Sequence, residues 1–340
     1  MAYSCSMWRL RRRHKMNLGV AVCTTDLQDD NLSSIILAHC ATVVPEYEMK
    51  WDIVAIGPQE MDWSAADKIV AFAQHHGLSC RGHTLLWHRA LPAWATDLPT
   101  ASFADAVLEF VDEAVTRYGG AVAYWDVCNE VLEPKDGLPG AMRRSIFHDA
   151  FGIDLVRISF GRAARAEPNA RLVLNEYGLE RGDADGAARR AAMLDLLHRE
   201  RKIGTRIDCL GLQAHLDTID APHNDAGFET FLRDVDRMGI TVIVTELDVN
   251  DQQVQGSSAH RDAVVAETCR EFLRTVFENC DCHGVTTWGV TDHRTWLSSA
   301  APRSDGMAPR PLLWDHAGQP KAAYTAVVEE IARARVAIRP

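Results

Sequence analysis

Short runs of apolar and β-branched residues alternate along the chain with longer stretches in which apolar residues recur every three or four positions. The short runs are typical of buried strands, and the longer stretches of amphipathic helices. The predicted strands are 18–23, 41–46, 79–86, 122–128, 171–175, 208–214, 241–246 and 284–289. Helices are predicted after Ser64 and after Ser102, through 228–235 and 265–276, and near 29–40, 151–166, 184–200 and 321–335.

Several helix ends have recognisable sequence signals. The predicted helix starts resemble capping boxes in which Asp replaces Glu, and the predicted helix ends carry glycine for a left-handed residue. These signals are Ser64 with Asp67, Ser102 with Asp105, Gly77 and Gly119.

The alternation gives eight strand–helix units without a Pro-, Gly- or Ser-rich linker between them. Such a continuous series is typical of a closed (β/α)8 barrel. We therefore predict one barrel domain over residues 18–340, preceded by a basic tail at 1–17 that contains Arg11–Arg13. No Gly-x-Gly-x-x-Gly or Walker motif follows any predicted strand, which disfavours a nucleotide-binding fold.

The charge balance argues against nucleic acid as a partner. The chain has 36 Lys and Arg against 47 Asp and Glu, a formal net charge of −11. This sign repels a phosphate backbone. No apolar stretch reaches the roughly 20 residues of a membrane helix, so no membrane partner is expected.

The N-terminal residues and the cysteines bear on export and on metal binding. The apolar run 18–22 is shorter than the core of a secretory signal. A cytoplasmic protein is expected if this start is the natural one, and a secreted protein if the start is trimmed or altered. The nine cysteines form no disulfide framework and are expected to be reduced. Cys280 and Cys282 have no second Cys/His pair at zinc-finger spacing, so no metal or cofactor is predicted.

Polar and aromatic residues collect where the predicted strands end. In a (β/α)8 barrel the active site lies at the carboxyl ends of the strands, so these residues are candidates for chemistry. They are Glu46, Tyr47, Lys50, His83, Trp87, His88, Asp126, Asn129, Glu130, Asn175, Glu176, Tyr177, Gln213, His215, Glu246, Asp248, Trp288, Asp292 and Trp296.

Glu130 and Glu246 follow apolar strands, where a buried carboxylate is costly unless it is paired. Each could be a salt-bridged residue without a catalytic role. Side chains alternate along a strand, so Gln213 and His215 should share one face, and Glu246 and Asp248 another. We expect His215 to reach Glu246 or Asp248 from the neighbouring strand.

Two such carboxyl groups suit glycoside hydrolysis, in which one attacks the anomeric carbon and the other protonates the leaving oxygen. A retaining mechanism needs about 5 Å between them. Sugars also need flat apolar surfaces, which Trp87, Trp288 and Trp296 at strand ends could supply. The remaining ambiguous tryptophans, Trp51, Trp63, Trp94 and Trp314, are predicted to pack in the core.

With these residues in place, the sequence resembles glycoside hydrolase family 10, the (β/α)8 endo-β-1,4-xylanases. The resemblance runs from about residue 18 to 332. It is carried by the segments Glu-Met-Lys-Trp at 48–51, Arg-Gly-His-Thr-Leu at 81–85, Trp-His at 87–88, Trp-Asp-Val-Cys-Asn-Glu at 125–130, Leu-Asn-Glu-Tyr at 174–177, Gly-Leu-Gln-Ala-His-Leu at 211–216, Thr-Glu-Leu-Asp-Val at 245–249 and Trp-Gly-Val-Thr-Asp at 288–292.

The resemblance implies a retaining xylanase with Glu130 as acid/base, Glu246 as nucleophile, and His215 and Asp248 supporting the nucleophile. It implies that the reacting sugar is bound by His83, Trp87, Asn129, Gln213 and Trp288. The glycone side would use Glu46, Lys50 and Trp296, and the leaving-group side Asn175 and Tyr177. The implied substrate is xylan or a xylo-oligosaccharide, and a monomer is expected.

Three positions depart from the family pattern: Tyr47 replaces an Asn, Glu176 replaces the common Asp, and Thr295 replaces a Ser. Tyr47 adds bulk and removes an amide, so we expect an altered glycone site and include it among the binding residues.

Three further hypotheses compete with a xylan-cleaving enzyme. The change at Tyr47 also fits a hydrolase that prefers xylo-oligosaccharides. A non-catalytic barrel could bind carbohydrate with the same aromatic residues, although the presence of both glutamates argues against it. A barrel aldolase or phosphate-sugar enzyme would need a buried lysine at a strand end or a glycine-rich phosphate loop, and the sequence offers Lys50 and little else.

Overall fold

The computed structural model describes residues 17–218 and 225–337 of the 340-residue chain. The basic run Arg11–Arg13 lies outside the described residues, so the predicted tail stays a prediction. The strands are β1 (Asn17–Val22), β2 (Thr42–Pro45), β3 (Ala55–Gly57), β4 (Glu60–Met61), β5 (Ser79–Gly82), β6 (Leu86–Trp87), β7 (Tyr124–Asn129), β8 (Arg171–Glu176), β9 (Cys209–Leu212), β10 (His215–Asp217), β11 (Thr241–Asn250) and β12 (Cys282–Thr287).

Helices, singly or in pairs, separate most of the strands along the chain. They are α1 (Thr24–Gln28), α2 (Asp30–His39), α3 (Trp51–Val54), α4 (Ser64–His76), α5 (Ala93–Thr96), α6 (Thr100–Arg117), α7 (Ile146–Phe151), α8 (Leu155–Ala166), α9 (Ala184–Ile203), α10 (Ala226–Arg237), α11 (Ser258–Asn279), α12 (Leu297–Ala300) and α13 (Ala322–Ala337). Short 3-10 turns occur at Pro134–Asp136, Pro139–Ala141, Gly152–Asp154 and Asp292–Arg294.

Every predicted strand region contains a strand. The predicted strand 79–86 is divided into β5 and the start of β6. The predicted strand 208–214 contains β9 and ends in the break before β10. The antiparallel hairpin β3–β4 was not predicted. Its strands are too short for a hydrophobic period to be visible.

The helix-start predictions are wrong in detail. Helix α4 has Trp63 rather than Ser64 before its first residue. Asp67 does not complete a capping box, because its carboxylate accepts hydrogen bonds from Arg117 Nε at 2.9 Å and Tyr118 Oη at 2.8 Å. Helix α6 begins at Thr100, so Ser102 lies inside it.

The two glycine predictions have different outcomes. Gly77 ends α4 with φ +65°, as expected for a left-handed C-terminal residue. After α6 the left-handed glycine is Gly120, with φ +73°, instead of Gly119.

The chain divides into two compact units. Unit 1 comprises Met1–Thr42, Tyr177–Ala187 and Leu212–Pro340, and unit 2 comprises Val43–Glu176 and Ala188–Gly211.

In unit 1 the strand order is β10-β11-β12-β1, and the pairs are parallel. Helix α11 packs along α13, and the rings of Phe228 and Phe272 stack at 6.1 Å in the core. At Gly19 a Cβ atom would lie 2.9 Å from Thr286 Oγ1, so only glycine fits this close approach of β1 to β12. Trp314 is 2% exposed, which confirms its predicted core position.

In unit 2 the strand order is β2-β5-β7-β8-β9, with β6 beside β7. Strands β5, β7 and β8 pair in parallel. Their core contains the predicted tryptophans Trp51 and Trp63, which both stack on Phe110 at 5.4 and 6.0 Å. Trp94 packs edge-on against Trp51 at 5.9 Å. These aromatic contacts confirm the predicted core positions of Trp51 and Trp63.

The described cysteines are all free thiols, and most of them are buried. Burial raises the pKa of the Cys282 thiol to about 12, so it stays protonated. Within residues 17–218 and 225–337 no cluster of three His, Cys, Asp or Glu side chains could hold a metal ion. In the same residues no helix has the length and apolar character needed to cross a bilayer.

Candidate active site

Glu246 of unit 1 lies in a network of ionisable side chains. His215 Nε2 is 3.2 Å from Glu246 Oε2, and His215 Nδ1 is 2.9 Å from Asp248 Oδ1. The parallel register sets this arrangement, because His215 pairs with Asp248 across β10 and β11. Both carboxylates lie on the same face of β11, as period-two alternation predicts.

The charge of His215 follows from its partners. Desolvation alone would lower the pKa of this imidazole, but Asp248 and Glu246 outweigh it and hold the pKa well above 6.5. The ring is therefore cationic at neutral pH, and both nitrogens donate to carboxylates. The cation therefore contacts both carboxylates, one through each ring nitrogen.

Tryptophans complete this part of unit 1. Trp296 Nε1 donates to Asp248 Oδ2 at 2.6 Å, and its ring lies edge-on to His215 at 5.1 Å. The Trp288 ring is 6.4 Å from that of His215. The indole N–H of Trp296 is thus engaged by Asp248.

Gln213 and His215 were predicted to share one face of a single strand, but the structure does not place them on one strand. The two residues are separated by Ala214, which has φ +60° and interrupts the strand between β9 and β10. They do not belong to one continuous strand, so simple alternation does not place them. The Gln213 carbonyl accepts the Glu246 N–H at 2.9 Å, which positions the nucleophile candidate through the backbone.

In unit 2, Glu130 directly follows β7. It is a non-glycine residue with φ +58°, which turns the chain sharply after Asn129. Asn175 Nδ2 donates to Asn129 Oδ1 at 2.8 Å, and Asn129 Nδ2 lies 3.5 Å from Glu130 Oε1. The register pairs Asn129 with Asn175, so the two amides form a chain that ends at the Glu130 carboxyl group.

His83 directly follows β5 and is 1% exposed. Its Nδ1 is 2.8 Å from Asp126 Oδ2, and Arg81 donates to the same oxygen. The carboxylate of Asp126 therefore fixes the orientation of the His83 ring.

The three predicted glycone residues of unit 2 belong to one segment. Lys50 is 6% exposed, and its Nζ lies 4.8 Å from the Tyr47 ring and 4.6 Å from the Trp87 ring. Both distances are in the range of a cation–π interaction. Tyr47 is 44% exposed and Glu46 is 6% exposed. The ammonium group is thus held between two aromatic faces, one of them accessible to solvent.

Two residues near Glu130 have a part in the site that the sequence did not assign. His88, a strand-end candidate without a predicted role, has a buried Nδ1 without a hydrogen-bond partner among the described residues. Desolvation, together with Arg143, lowers the pKa of His88 to about 4, although Glu130 opposes the shift. Arg143 Nε donates to the Glu130 carbonyl at 2.7 Å. Arg143 lies in a loop far from any strand end, so no sequence signal indicated it.

Of the predicted catalytic, supporting and binding residues, seven lie in unit 1 and eight in unit 2. Those of unit 1 are Tyr177, Gln213, His215, Glu246, Asp248, Trp288 and Trp296, and those of unit 2 are Glu46, Tyr47, Lys50, His83, Trp87, Asn129, Glu130 and Asn175. Tyr177 is half-buried directly after β8.

The model of glycosyl hydrolase family 10 matches residues 8–330. The chain belongs to this family. It is 32% identical over 323 residues to endo-1,4-beta-xylanase 3 of Hypocrea jecorina, an alignment that covers 94% of this chain and 83% of that protein. Membership of family 10 confirms the resemblance found in the sequence and makes the protein a glycoside hydrolase.

Solved structures share the fold of this chain. Native xylanase 10B of Thermotoga maritima has a TM-score of 0.84 at 24% identity, with 96% of this chain and 98% of that chain covered. The family 10 structure from Paenibacillus barcinonensis has a TM-score of 0.81 at 28% identity, with 96% and 97% covered. The predicted (β/α)8 fold of this family 10 hydrolase is thereby confirmed.

Proposed function

We propose that this family 10 hydrolase is a retaining endo-β-1,4-xylanase that cleaves xylan or xylo-oligosaccharides without a metal or cofactor. The names of the Hypocrea jecorina and Thermotoga maritima relatives support the substrate class. The observation that carries the proposal is the contact of cationic His215 with both Glu246 and Asp248. It equips Glu246 to act as an ionised nucleophile.

In the first step, a Glu246 oxygen forms a bond to the anomeric carbon while the glycosidic C–O bond breaks. Glu130 transfers its proton to the departing oxygen, so the leaving sugar is released as a neutral alcohol. The Glu246 side chain becomes an ester and loses its charge. His215 keeps its contact with Asp248 and stays in place.

In the second step, Glu130 has become a carboxylate and accepts a proton from water. The water oxygen bonds to the anomeric carbon, and the ester bond to Glu246 breaks. The cationic His215 stabilises the carboxylate that is released. Two displacements at one carbon return the β configuration.

Sugar hydroxyl groups require hydrogen-bond partners in the binding residues. Trp87 Nε1 is a buried donor without a partner among the described residues, so it is ready to donate to a sugar oxygen. The amide chain of Asn129 and Asn175 offers further polar atoms beside Glu130. The Trp288 ring offers a flat apolar surface.

A second candidate function is a hydrolase that prefers short xylo-oligosaccharides. Tyr47 favours it, because the exposed ring covers Lys50 in the segment where the family pattern has an Asn. A ring in that place excludes volume and removes an amide. The products formed from xylo-oligosaccharides of increasing length separate this candidate from a xylan-preferring enzyme.

The decisive experiment measures reducing-sugar release from xylan and xylohexaose, with the anomer of the first product followed by proton NMR. We expect release from both substrates and the β-anomer as the initial product. An initial α-anomer would contradict retention, and binding without release would identify a non-catalytic carbohydrate-binding protein. The proposed monomer is tested by light scattering on the same sample.

A further inference from the structure

The backbone of Glu130 adopts an unfavourable conformation. Glu130 has φ +58°, in the left-handed region that residues with a Cβ atom rarely adopt. Two contacts hold it in this conformation: its N–H donates to the Asn175 carbonyl at 3.0 Å, and its carbonyl accepts Arg143 Nε at 2.7 Å. The conformation of Glu130 therefore depends on groups outside its own strand.

Hydrogen bonds also fix the backbone two residues further along the chain, at Leu132. The Leu132 N–H donates to Glu176 Oε2 at 3.0 Å. The Leu132 carbonyl accepts Arg143 Nη2 at 3.2 Å and also Arg189 Nη1. Side chains from β8, α9 and a loop thus form hydrogen bonds to the backbone of residues 130–132. We name these three residues the acid turn.

Charged groups of both signs surround the acid turn. Glu176 is fully buried, and its Oε1 lies 3.6 Å from Arg189 Nη1. Glu133 contacts Arg189 at 3.1 Å and Arg143 at 3.7 Å. Burial raises the pKa of Glu176 to about 8, against the effect of Arg189 and with a contribution from Glu130. Ion pairs therefore link two arginines and two glutamates into one cluster beside the acid turn, formed by Arg143, Arg189, Glu133 and Glu176.

We propose that Glu176 is a positioning residue for Glu130. By accepting the Leu132 N–H, its carboxyl group fixes the acid turn in the conformation that aims Glu130 at the leaving oxygen. The inference rests on the proposed role of Glu130 as acid/base. A buried structural ion pair is the competing explanation, and it would affect stability without regard to the leaving group.

The test compares Glu176→Asp and Glu176→Gln on two substrates. One is xylohexaose, whose poor leaving group needs an acid, and the other is dinitrophenyl β-xylobioside, whose leaving group does not. Asp withdraws the carboxyl group by one carbon–carbon bond, about 1.5 Å, and breaks the contact with Leu132. Gln keeps the length and an accepting oxygen.

For Glu176→Asp we expect kcat/KM on xylohexaose to fall about five- to tenfold, the effect of one neutral hydrogen bond. For the aryl xylobioside, kcat/KM should change less than twofold, because it reports the first step, which needs no acid for this leaving group. Glu176→Gln should retain more xylohexaose activity than Glu176→Asp. Equal losses on both substrates, or full xylohexaose activity of Glu176→Asp, would overturn the proposal.

Glu200→Gln is the matched control. Glu200 is also a buried glutamate of unit 2, at 1% exposure, but it contacts Thr205 Oγ1 at 2.8 Å and Arg199. Its replacement should lower the melting temperature without separating the two substrates. A separation as large as that of Glu176→Asp would contradict a specific role of Glu176.

Two further variants keep the outcome readable. If Glu176→Asp does not fold, the proposal is tested with Arg189→Lys. Lysine keeps the charge but has one nitrogen in place of the two with which Arg189 contacts the Leu132 carbonyl and Glu133. The variant should show the same leaving-group selectivity, and an unselective loss would overturn the proposal. Glu130→Ala tests the premise: without leaving-group selectivity in that variant, the proposed function fails as well.

Discussion

The two candidate catalytic glutamates have different surroundings, each within its own unit. Glu246 accepts a hydrogen bond from His215, which Asp248 and Glu246 keep cationic. Glu130 lies beside an amide donor from Asn129, and the nearby His88 is kept neutral by a pKa of about 4. The guanidinium of Arg143 donates to the Glu130 backbone.

This difference separates two tasks that one residue type can perform. The imidazole that contacts the Glu246 carboxylate is cationic, whereas the imidazole near Glu130 is neutral. The surroundings therefore suit Glu246 for attack and Glu130 for proton transfer. Substitutions that exchange or remove these surroundings test that assignment.

The largest effect is expected for Glu246→Ala. Without a nucleophile, hydrolysis of xylan should fall on the order of 10⁴-fold or more. Reducing-sugar release measures the loss, and circular dichroism checks the fold. Glu267→Ala, at an exposed position on α11 of the same unit, is the control and should leave the rate unchanged. Normal turnover by Glu246→Ala would end the assignment.

Glu130→Ala should be the next largest and should depend on the leaving group. Loss of general acid catalysis reduces the rate about 10²- to 10⁴-fold for xylo-oligosaccharides. For an aryl glycoside with a good leaving group, kcat/KM should fall much less. Azide should restore turnover, because it replaces the water that Glu130 activates as a base. Equal losses on both substrates would contradict the acid role.

Asp248→Asn should weaken the charged state of His215. Loss of a charge-assisted hydrogen bond, roughly 1.5–3 kcal/mol, predicts about a 10- to 100-fold fall in kcat. The pKa of His215 is raised by the carboxylates, so its cationic contribution is complete below pH 6.5 and is lost as pH rises through the native value. The alkaline limb of the rate profile should therefore move to lower pH in the variant.

Asp217→Asn is the matched control for that experiment. Asp217 lies on β10 near His215 and accepts a hydrogen bond from Asn250 Nδ2 at 3.1 Å. Its substitution should leave the alkaline limb in place. A shift of similar size would show that the effect is general to the strand and not specific to Asp248.

The smallest effect is expected at Tyr47. Tyr47→Asn removes one of the two rings around Lys50, a contact of about 0.5–1 kcal/mol at an exposed site. KM for longer xylo-oligosaccharides should change a few-fold, while kcat on an aryl xylobioside stays the same. Ile53→Asn, which alters an exposed apolar residue nearby, should change neither value.

The sequence predicted the strand regions from their hydrophobic pattern, and it predicted the contact of His215 with Glu246 or Asp248 from the alternation of side chains on neighbouring strands. His215, Glu246 and Asp248 meet because β10 and β11 are neighbouring parallel strands whose register pairs His215 with Asp248. The amide contact between Asn175 and Asn129 was not predicted from the sequence, and it follows from the parallel register of β7 and β8.

Features that depend on local backbone or on loop contacts were not predictable. The left-handed Ala214 breaks the alternation that would have placed Gln213 with His215. Arg143 reaches the Glu130 carbonyl from a loop 13 residues away, where no hydrophobic period exists. The Asp67 carboxylate bonds to Arg117, 50 positions away, instead of capping its own helix. Tertiary contacts decided each of these positions over local preference.

The hydrogen bond from Trp296 to Asp248 places a fluorophore in contact with the network of His215, Glu246 and Asp248. Indole emission responds to the electric field at the ring, and that field changes when Asp248 or His215 changes charge. Formation of the ester at Glu246 also removes a negative charge from the network. Each turnover should therefore modulate tryptophan fluorescence, and stopped-flow measurements could follow it without an added label.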